Sequence, residues 1–278
     1  MLGQRRSACF AASSGAKPYD PMKISSLLLL HSCFLIAGAL LQAKDADSSR
    51  TPYLHKFSDG NGGWLANNGE RLRIWDGVAN CYSPWFLDAN HAHPGAGYLH
   101  LVLWIHTDKR WEEGGRSSRL PYRASSFVRG GKSKDLRNAR LTVRLRGEVD
   151  LKGAQLILLA QSVTPKTTAN MVLTGQPLRI TEDWSEQTIT LANDEKQWTC
   201  LGARKGREQE YGCDAIDTVL SDVNCDLIFV LFPLHVTPAC KGADRPGLYA
   251  NADYLANVGD LPRGLIQFSS VRIDYPKK

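Results

Sequence analysis

Arg140-Leu141-Thr142-Val143-Arg144-Leu145-Arg146 alternates between polar and apolar side chains at every position. Because successive side chains of a β-strand point to opposite faces of a sheet, this period of two predicts a strand with its three apolar side chains in a core. The three arginines and the threonine then share the other face. That face is either solvated or in contact with a ligand.

Similar strand signals recur along the chain after residue 50. Short segments rich in β-branched, aromatic and leucine residues, each bounded by Gly, Pro, Asn or Asp, predict about nine strands. The run Leu227–Phe232 is apolar at every position, which is typical of a central strand covered on both faces. A helix of one or two turns is predicted over residues 214–220. The predicted strands cover residues 71–75, 97–107, 125–129, 139–147, 154–163, 171–174, 185–191, 226–236 and 265–275.

Length and composition set bounds on the fold. The chain has 278 residues, of which 43% are hydrophobic and 22% charged, as in ordinary globular proteins. Many strands without intervening helices favour a β-sandwich or a barrel. Neither an internal repeat nor a Pro/Ser-rich linker divides the sequence. We therefore predict one all-β domain over residues 44–278, a single jelly-roll β-sandwich of about nine or more mostly antiparallel strands.

The N-terminal segment has the pattern of a targeting signal. Met22-Lys23 precedes an apolar run over residues 27–41, and small residues lead to Ala43. This is the order of parts in a secretory signal peptide. A membrane anchor is the alternative, but polar side chains interrupt the run, which is short for the roughly 20 residues of a span. We predict that residues 1–21 precede the true start and that residues 22–43 are a cleaved signal, so the protein is secreted, periplasmic or part of the cell envelope.

The cysteines and the charge balance follow from export. An oxidising compartment favours disulfides, and we predict the bridges Cys200–Cys213 and Cys225–Cys240. Cys81 is then left over, as a buried small side chain or as a reactive thiol.

Without residues 1–43 the chain carries 30 positive and 27 negative side chains. This near-neutral balance, together with the absence of a nucleic-acid-binding motif, excludes a nucleic-acid partner.

Three segments carry a family pattern. Residues 56–64, with the sequence KFSDGNGGW, look like an opening strand and turn. Residues 178–191 contain Thr181, two further residues, Trp184 and then an alternating strand, and residues 264–273 are similar to a closing strand. Together they resemble the jelly-roll carbohydrate-binding modules of the galactose-binding-like superfamily.

This resemblance implies a fold and a type of ligand. It implies a β-sandwich that binds glycans, with Trp184 packed in the structure and with no required cofactor. Such modules often hold a structural calcium between the opening loop and the last strand. Asp59, Asn61 and Asp274 are the oxygen donors that match this site here.

Two further segments carry candidate site residues. Four histidines lie within sixteen residues, from His91 to His106, and imidazoles transfer protons near neutral pH and ligate metals. The stretch Lys109–Lys134 carries eight basic and two acidic side chains with aromatic residues between them. Arginine forks match carboxylates and sulfates. The plain alternative is a Pro/Gly-rich turn whose histidines hydrogen-bond the loop for the first segment, and a solvated loop for the second. The predicted ligand-binding residues are Trp85, His91, His93, Trp111, Arg116, Arg119, Tyr122 and Arg123.

The leading functional prediction is an exported, non-catalytic module that binds a glycan, in particular an acidic polysaccharide. The alternative is a polysaccharide lyase or glycoside hydrolase of similar fold. In that case His91, His93 and Tyr98 would move protons, and Arg116 would neutralise a uronate carboxylate. A protein-interaction domain of the envelope is the second alternative.

Overall fold

The strand-forming segments assemble into two sheets that pack face to face. The computed structural model describes residues 49–66, 70–88, 98–110, 125–204, 207–235 and 261–277, all within one compact unit over residues 44–278. In chain order its strands are β1 (Tyr53–Lys56), β2 (Leu65–Ala66), β3 (Glu70–Arg71), β4 (Arg73–Trp75), β5 (Val78–Tyr82), β6 (Phe86–Asp88), β7 (Tyr98–His106), β8 (Arg140–Asp150), β9 (Gln155–Val163), β10 (Thr168–Val172), β11 (Ser185–Thr190), β12 (Thr199–Cys200), β13 (Tyr211–Gly212), β14 (Asp226–Leu234) and β15 (Arg263–Asp274).

Within these ranges, one sheet has six strands and the other has nine. In sheet I the order is β11-β8-β15-β5-β4, and β1 also pairs with β15. In sheet II the order is β12-β10-β9-β14-β7-β2-β3, with β6 beside β7 and β13 beside β10. All described pairs are antiparallel except β10 with β13. The predicted all-β sandwich is thereby confirmed.

The core lies between the two sheets and follows the predicted alternation. Leu141, Val143 and Leu145 of β8 are fully buried against it. Phe229 of β14 crosses from the other sheet, and its ring centroid lies 5.2 Å from that of Phe268 on β15. Inward-facing positions of both sheets therefore form one continuous apolar layer.

Strand β14 is apolar on both faces, as its sequence predicts. It pairs with β9 on one side and β7 on the other. Phe229 and Leu231 belong to the core between the sheets. Ile228, Val230 and Phe232 belong to a second apolar cluster on the outer face of sheet II.

The local predictions fail at one segment. Every predicted strand overlaps an observed one except 125–129, which forms a helix, α1 (Ser126–Arg129). The Ser125 hydroxyl accepts a hydrogen bond from the Val128 amide at 3.1 Å, and this N-cap favours the helical turn over an extended chain. The predicted short helix is confirmed as α2 (Ile216–Ser221). In the opening segment, β1 precedes a 3-10 turn over Phe57–Asp59.

One predicted disulfide is formed and the other is not. Cys200 and Cys213 are bonded, with their Cα atoms 5.9 Å apart. Cys225 is a free buried thiol, so its predicted bridge is wrong, and the predicted partner Cys240 lies outside the described residues. Its Sγ atom instead lies 3.8 Å from Oδ1 of Asn224. Cys81 is also free and buried, and burial raises the pKa of its thiol, as expected of a packing residue.

The predicted signal peptide lies outside the described residues. None of the helices described is long and apolar enough to cross a membrane.

Candidate functional site

A row of polar side chains crosses the outer face of sheet I. Ile266 and Phe268 of β15 face the core, so Gln267 between them points outward. The strand register aligns Gln267 with Arg146 of β8 on one side and with Asn80 of β5 on the other. Arg73 of β4 continues the row beyond Asn80. With strands about 4.8 Å apart, the row from Arg73 to Arg146 spans about 14 Å.

Hydrogen bonds connect the middle of this row. Nε of Arg146 donates to Oε1 of Gln267 at 2.7 Å. Nε2 of Gln267 donates to Oδ1 of Asn80 at 2.6 Å, and Nδ2 of Asn80 donates to the Val78 carbonyl at 2.8 Å. Asn80 is buried, so it acts as a support that fixes the orientation of the Gln267 amide.

Two aromatic side chains lie on the same face near its β4 edge. Trp75 is 75% exposed and Tyr82 is 42% exposed. Trp75 ends β4 and pairs with Val78 across a two-residue turn, Asp76-Gly77, whose φ angles are 52° and 69°. A tight hairpin turn needs such positive φ angles, and Asp and Gly tolerate them. The turn therefore holds a tryptophan on an outward-facing edge.

At the other end of the row, a tryptophan contacts two arginines of β8. The guanidinium carbons of Arg144 and Arg146 lie 4.9 and 4.8 Å from the centroid of the Trp184 ring. The Gly147 amide donates to the Thr181 carbonyl at 2.8 Å, which holds the segment before β11 along β8. Trp184, predicted to pack in the structure, is half-buried on the outer face and contacts two cations. We call the following residues the polar face of sheet I: Arg73, Trp75, Asn80, Tyr82, Arg144, Arg146, Trp184 and Gln267.

A second polar group lies on the outer face of sheet II. The register aligns His106 of β7, Asp226 of β14, Gln161 of β9 and Asn170 of β10. Nδ1 of His106 lies 2.6 Å from Oδ1 of Asp226, and the edge of the Trp104 ring packs on the imidazole. Asp226 is 8% exposed, and burial raises the pKa of its carboxyl while His106 opposes that shift. This group is a buried acid-imidazole pair beside apolar side chains.

Trp85 does not offer a surface for a sugar ring. It is only 3% exposed, because its indole packs into the core and against the His100 ring, with centroids 6.0 Å apart. Nδ1 of His100 donates to the Trp85 carbonyl at 3.0 Å. Within the described part of the chain, Nε1 of Trp85 and Nε2 of His100 have no hydrogen-bond partner. The prediction that Trp85 binds ligand as an exposed platform is therefore wrong.

We expect His100 to make stability depend on pH. Burial lowers its pKa from 6.5 to about 4, with hydrogen bonds to the carbonyls of Trp85 and Phe86 acting in the opposite direction. The unfolded chain therefore binds a proton at higher pH than the folded protein does, so the free energy of unfolding falls as the pH drops from 6.5 towards 4. Urea unfolding across this pH range should show a smaller loss of unfolding free energy for His100→Gln than for the wild type. His55, whose pKa burial also lowers, remains in both proteins, and identical pH profiles would contradict the assignment.

The predicted calcium ligands are not brought together. Asp274 is bound to Arg272 through oxygen to nitrogen distances of 2.7 to 2.9 Å. Asp59 accepts from the Ser58 hydroxyl, and Asn61 accepts from the Gly63 amide. The opening turn follows the Lys56 end of β1, which pairs with Ser270, four residues before Asp274. At about 3.4 Å per residue, this offset separates the donors by more than about 10 Å, and no group of three metal-binding side chains occurs among the described residues.

The remaining predicted site residues divide into two groups. Tyr98 begins β7, and burial raises the pKa of its phenol. The others lie outside the described residues: His91, His93, Trp111, Arg116, Arg119, Tyr122 and Arg123. The polar face of sheet I was anticipated only through Arg140, Arg144 and Arg146, whose alternation predicted an outward-facing set.

Comparisons with known proteins identify no family for this chain. Neither a family model nor a curated protein matches the sequence. The chain is similar to the L4b domain of human laminin alpha-2, with 8% identity and a TM-score of 0.37 over 82% of this chain and 99% of that domain. A chain of mud crab dicistrovirus matches with 10% identity and a TM-score of 0.15, over 98% of this chain and 87% of the viral one. Similarities this low do not confirm the galactose-binding-like superfamily, and the β-sandwich rests on the strands themselves.

Proposed function

We propose that this protein is an exported, non-catalytic β-sandwich that binds a glycan on the polar face of sheet I. The observation that carries the proposal is the hydrogen-bonded row from Arg146 through Gln267 to Asn80, with the exposed ring of Trp75 on the same face. Sugars present hydroxyl groups around an apolar ring face. Fixed amides and guanidinium groups suit the hydroxyls, and an aromatic face suits the ring.

The arrangement differs from an ordinary solvated sheet surface. Amide side chains on such a surface usually bond to water, whereas Gln267 is held by Arg146 on one side and by Asn80 on the other. A side chain whose rotamer is already fixed loses less conformational entropy when it binds. The row is therefore prepared for a ligand that lies across the strands.

The disulfide supports export. Cys200–Cys213 closes a loop in a chain whose N-terminal segment has the pattern of a secretory signal. Structural disulfides persist in oxidising compartments and are rare in the cytosol. A secreted, periplasmic or envelope location fits a protein that meets polysaccharide.

We expect Trp75→Ala to weaken glycan binding by about tenfold or more, because truncating an aromatic contact of this kind costs more than about 1.4 kcal/mol. Affinity electrophoresis through gels that contain neutral, uronate-rich or sulfated polysaccharides would measure retardation, and staining the gels afterwards would show whether the polymer is intact. Phe86→Ala is the matched control, since it removes an aromatic ring that is 38% exposed on sheet II. If none of the polymers retards the wild type, the proposal is contradicted.

One observation favours the enzyme alternative. The His106–Asp226 pair has the geometry in which a carboxylate orients an imidazole. A cleared zone in the stained gel, with new reducing ends or unsaturated products that His106→Gln abolishes, would establish catalysis. Retardation over intact polymer would instead support a binding module.

A further inference from the structure

We infer that Arg144 and Arg146, held on Trp184, form a subsite for an anionic group of the glycan, either a carboxylate or a sulfate ester. This inference rests on the proposed function and names the class of ligand. The two groups share one chemistry, since both offer paired oxygen atoms to a guanidinium fork.

The first argument is the proximity of two positive charges. Both guanidinium carbons lie within 5 Å of the centroid of one indole ring. They are therefore closer to each other than about 10 Å, which is the Debye length at 0.1 M salt, so their repulsion is incompletely screened. A bound anion between them would relieve that repulsion.

The second argument is the lack of a counterion within the described part of the chain. Glu186 of β11 lies opposite Arg144 in register, and Glu148 follows Arg146 on the same face of β8. Neither carboxylate is within ion-pair distance of either arginine, whereas Arg272 on the same sheet is paired with Asp274. Glu186 adds to the effect of Asp274 in raising the pKa of the Arg272 guanidinium.

The third argument is preorganisation. The Trp184 ring holds both guanidinium groups, and Arg146 also donates through Nε to Gln267. That bond leaves the two terminal nitrogens of Arg146 for a ligand. The subsite thus adjoins the amide row, so a glycan chain across the strands would place its anionic group over Trp184 and extend towards Trp75.

The test uses affinity electrophoresis of the purified protein with three probes at several salt concentrations. The probes are a polyuronate, a sulfated polysaccharide and a neutral glucan. The variants are Arg144→Gln and Arg146→Gln. Arg140→Gln is the matched control, because it removes the same charge from the same face of β8, about 14 Å from Arg144 and about 20 Å from Arg146 along the strand.

We expect each of the two variants to weaken binding to an acidic polymer about tenfold and to reduce its salt dependence. Binding to neutral glucan should weaken less than binding to the acidic polymers, and Arg140→Gln should behave as the wild type does. Comparison of the polyuronate with the sulfated polysaccharide distinguishes a carboxylate from a sulfate ester as the bound anion. Equal losses for all three arginine variants, or unchanged binding in Arg144→Gln and Arg146→Gln, would overturn the subsite while leaving glycan binding in place. Lack of retardation by every probe would overturn glycan binding itself.

Discussion

Replacing Gly264 by alanine should lower the free energy of unfolding by more than about 4 kcal/mol, the range reached when steric overlap and backbone strain coincide. Gly264 has a φ of 141°, which residues other than glycine rarely adopt. An ideal Cβ there would lie 2.0 Å from the Glu148 carbonyl oxygen and 2.8 Å from the Val149 Cα. Both obstacles belong to the backbone of β8, so relief requires the two longest strands of sheet I to separate locally.

Gly60→Ala provides the matched control. Gly60 also has a positive φ, 97°, but an added Cβ would meet nothing within 4 Å. Its replacement should therefore show the conformational strain alone, about 1 to 3 kcal/mol. Urea unfolding of both variants measures the difference. A Gly264→Ala protein as stable as Gly60→Ala would show that the approach of β15 to β8 is looser than described.

The second large effect is expected from the disulfide. Opening Cys200–Cys213 with the double substitution to serine should lower the free energy of unfolding by about 3 kcal/mol, since a loop of this length restricts the unfolded chain by that amount. The bond joins residues 13 apart and holds the segment that places Leu201 in the buried cluster on sheet II. Removal should therefore also loosen the β12 edge.

Chemical denaturation of the oxidised wild type and the double variant would measure this effect. Cys225→Ala is the control, because it removes a buried thiol that forms no disulfide. A reducing agent should destabilise both the wild type and Cys225→Ala, and it should leave the double variant unchanged. Insensitivity of the wild type to reduction would contradict a stabilising bridge.

The fold was largely predictable because its signals are local. The alternation over residues 140–146 specifies both the strand and the direction of its side chains. The unbroken apolar run of β14 specifies a central strand of a sheet. The segment at 125–129 has strand-forming residues, yet the capping serine determines a helix. Short strands such as β1 and β6 carry too few residues for a period to emerge.

The candidate site was less predictable because its contacts are distant in sequence. Asn80 and Gln267 are 187 residues apart, and each is the one amide side chain of its strand. Only the register of β5 against β15 brings them together. Trp184 matched a pattern that implies packing, and its position opposite two outward-facing arginines emerges only from the β8–β11 pairing.

The division of sheet I into a core face and a polar face also bears on how such a protein can diverge. Substitutions at the outward positions of β4, β5, β8 and β15 leave the inward side chains that hold the sandwich together untouched. Exposed replacements usually change stability by less than about 0.5 kcal/mol. Selection, or an engineer, can therefore alter the chemistry of the polar face by exchanging alternate residues on these strands, while the scaffold stays constant.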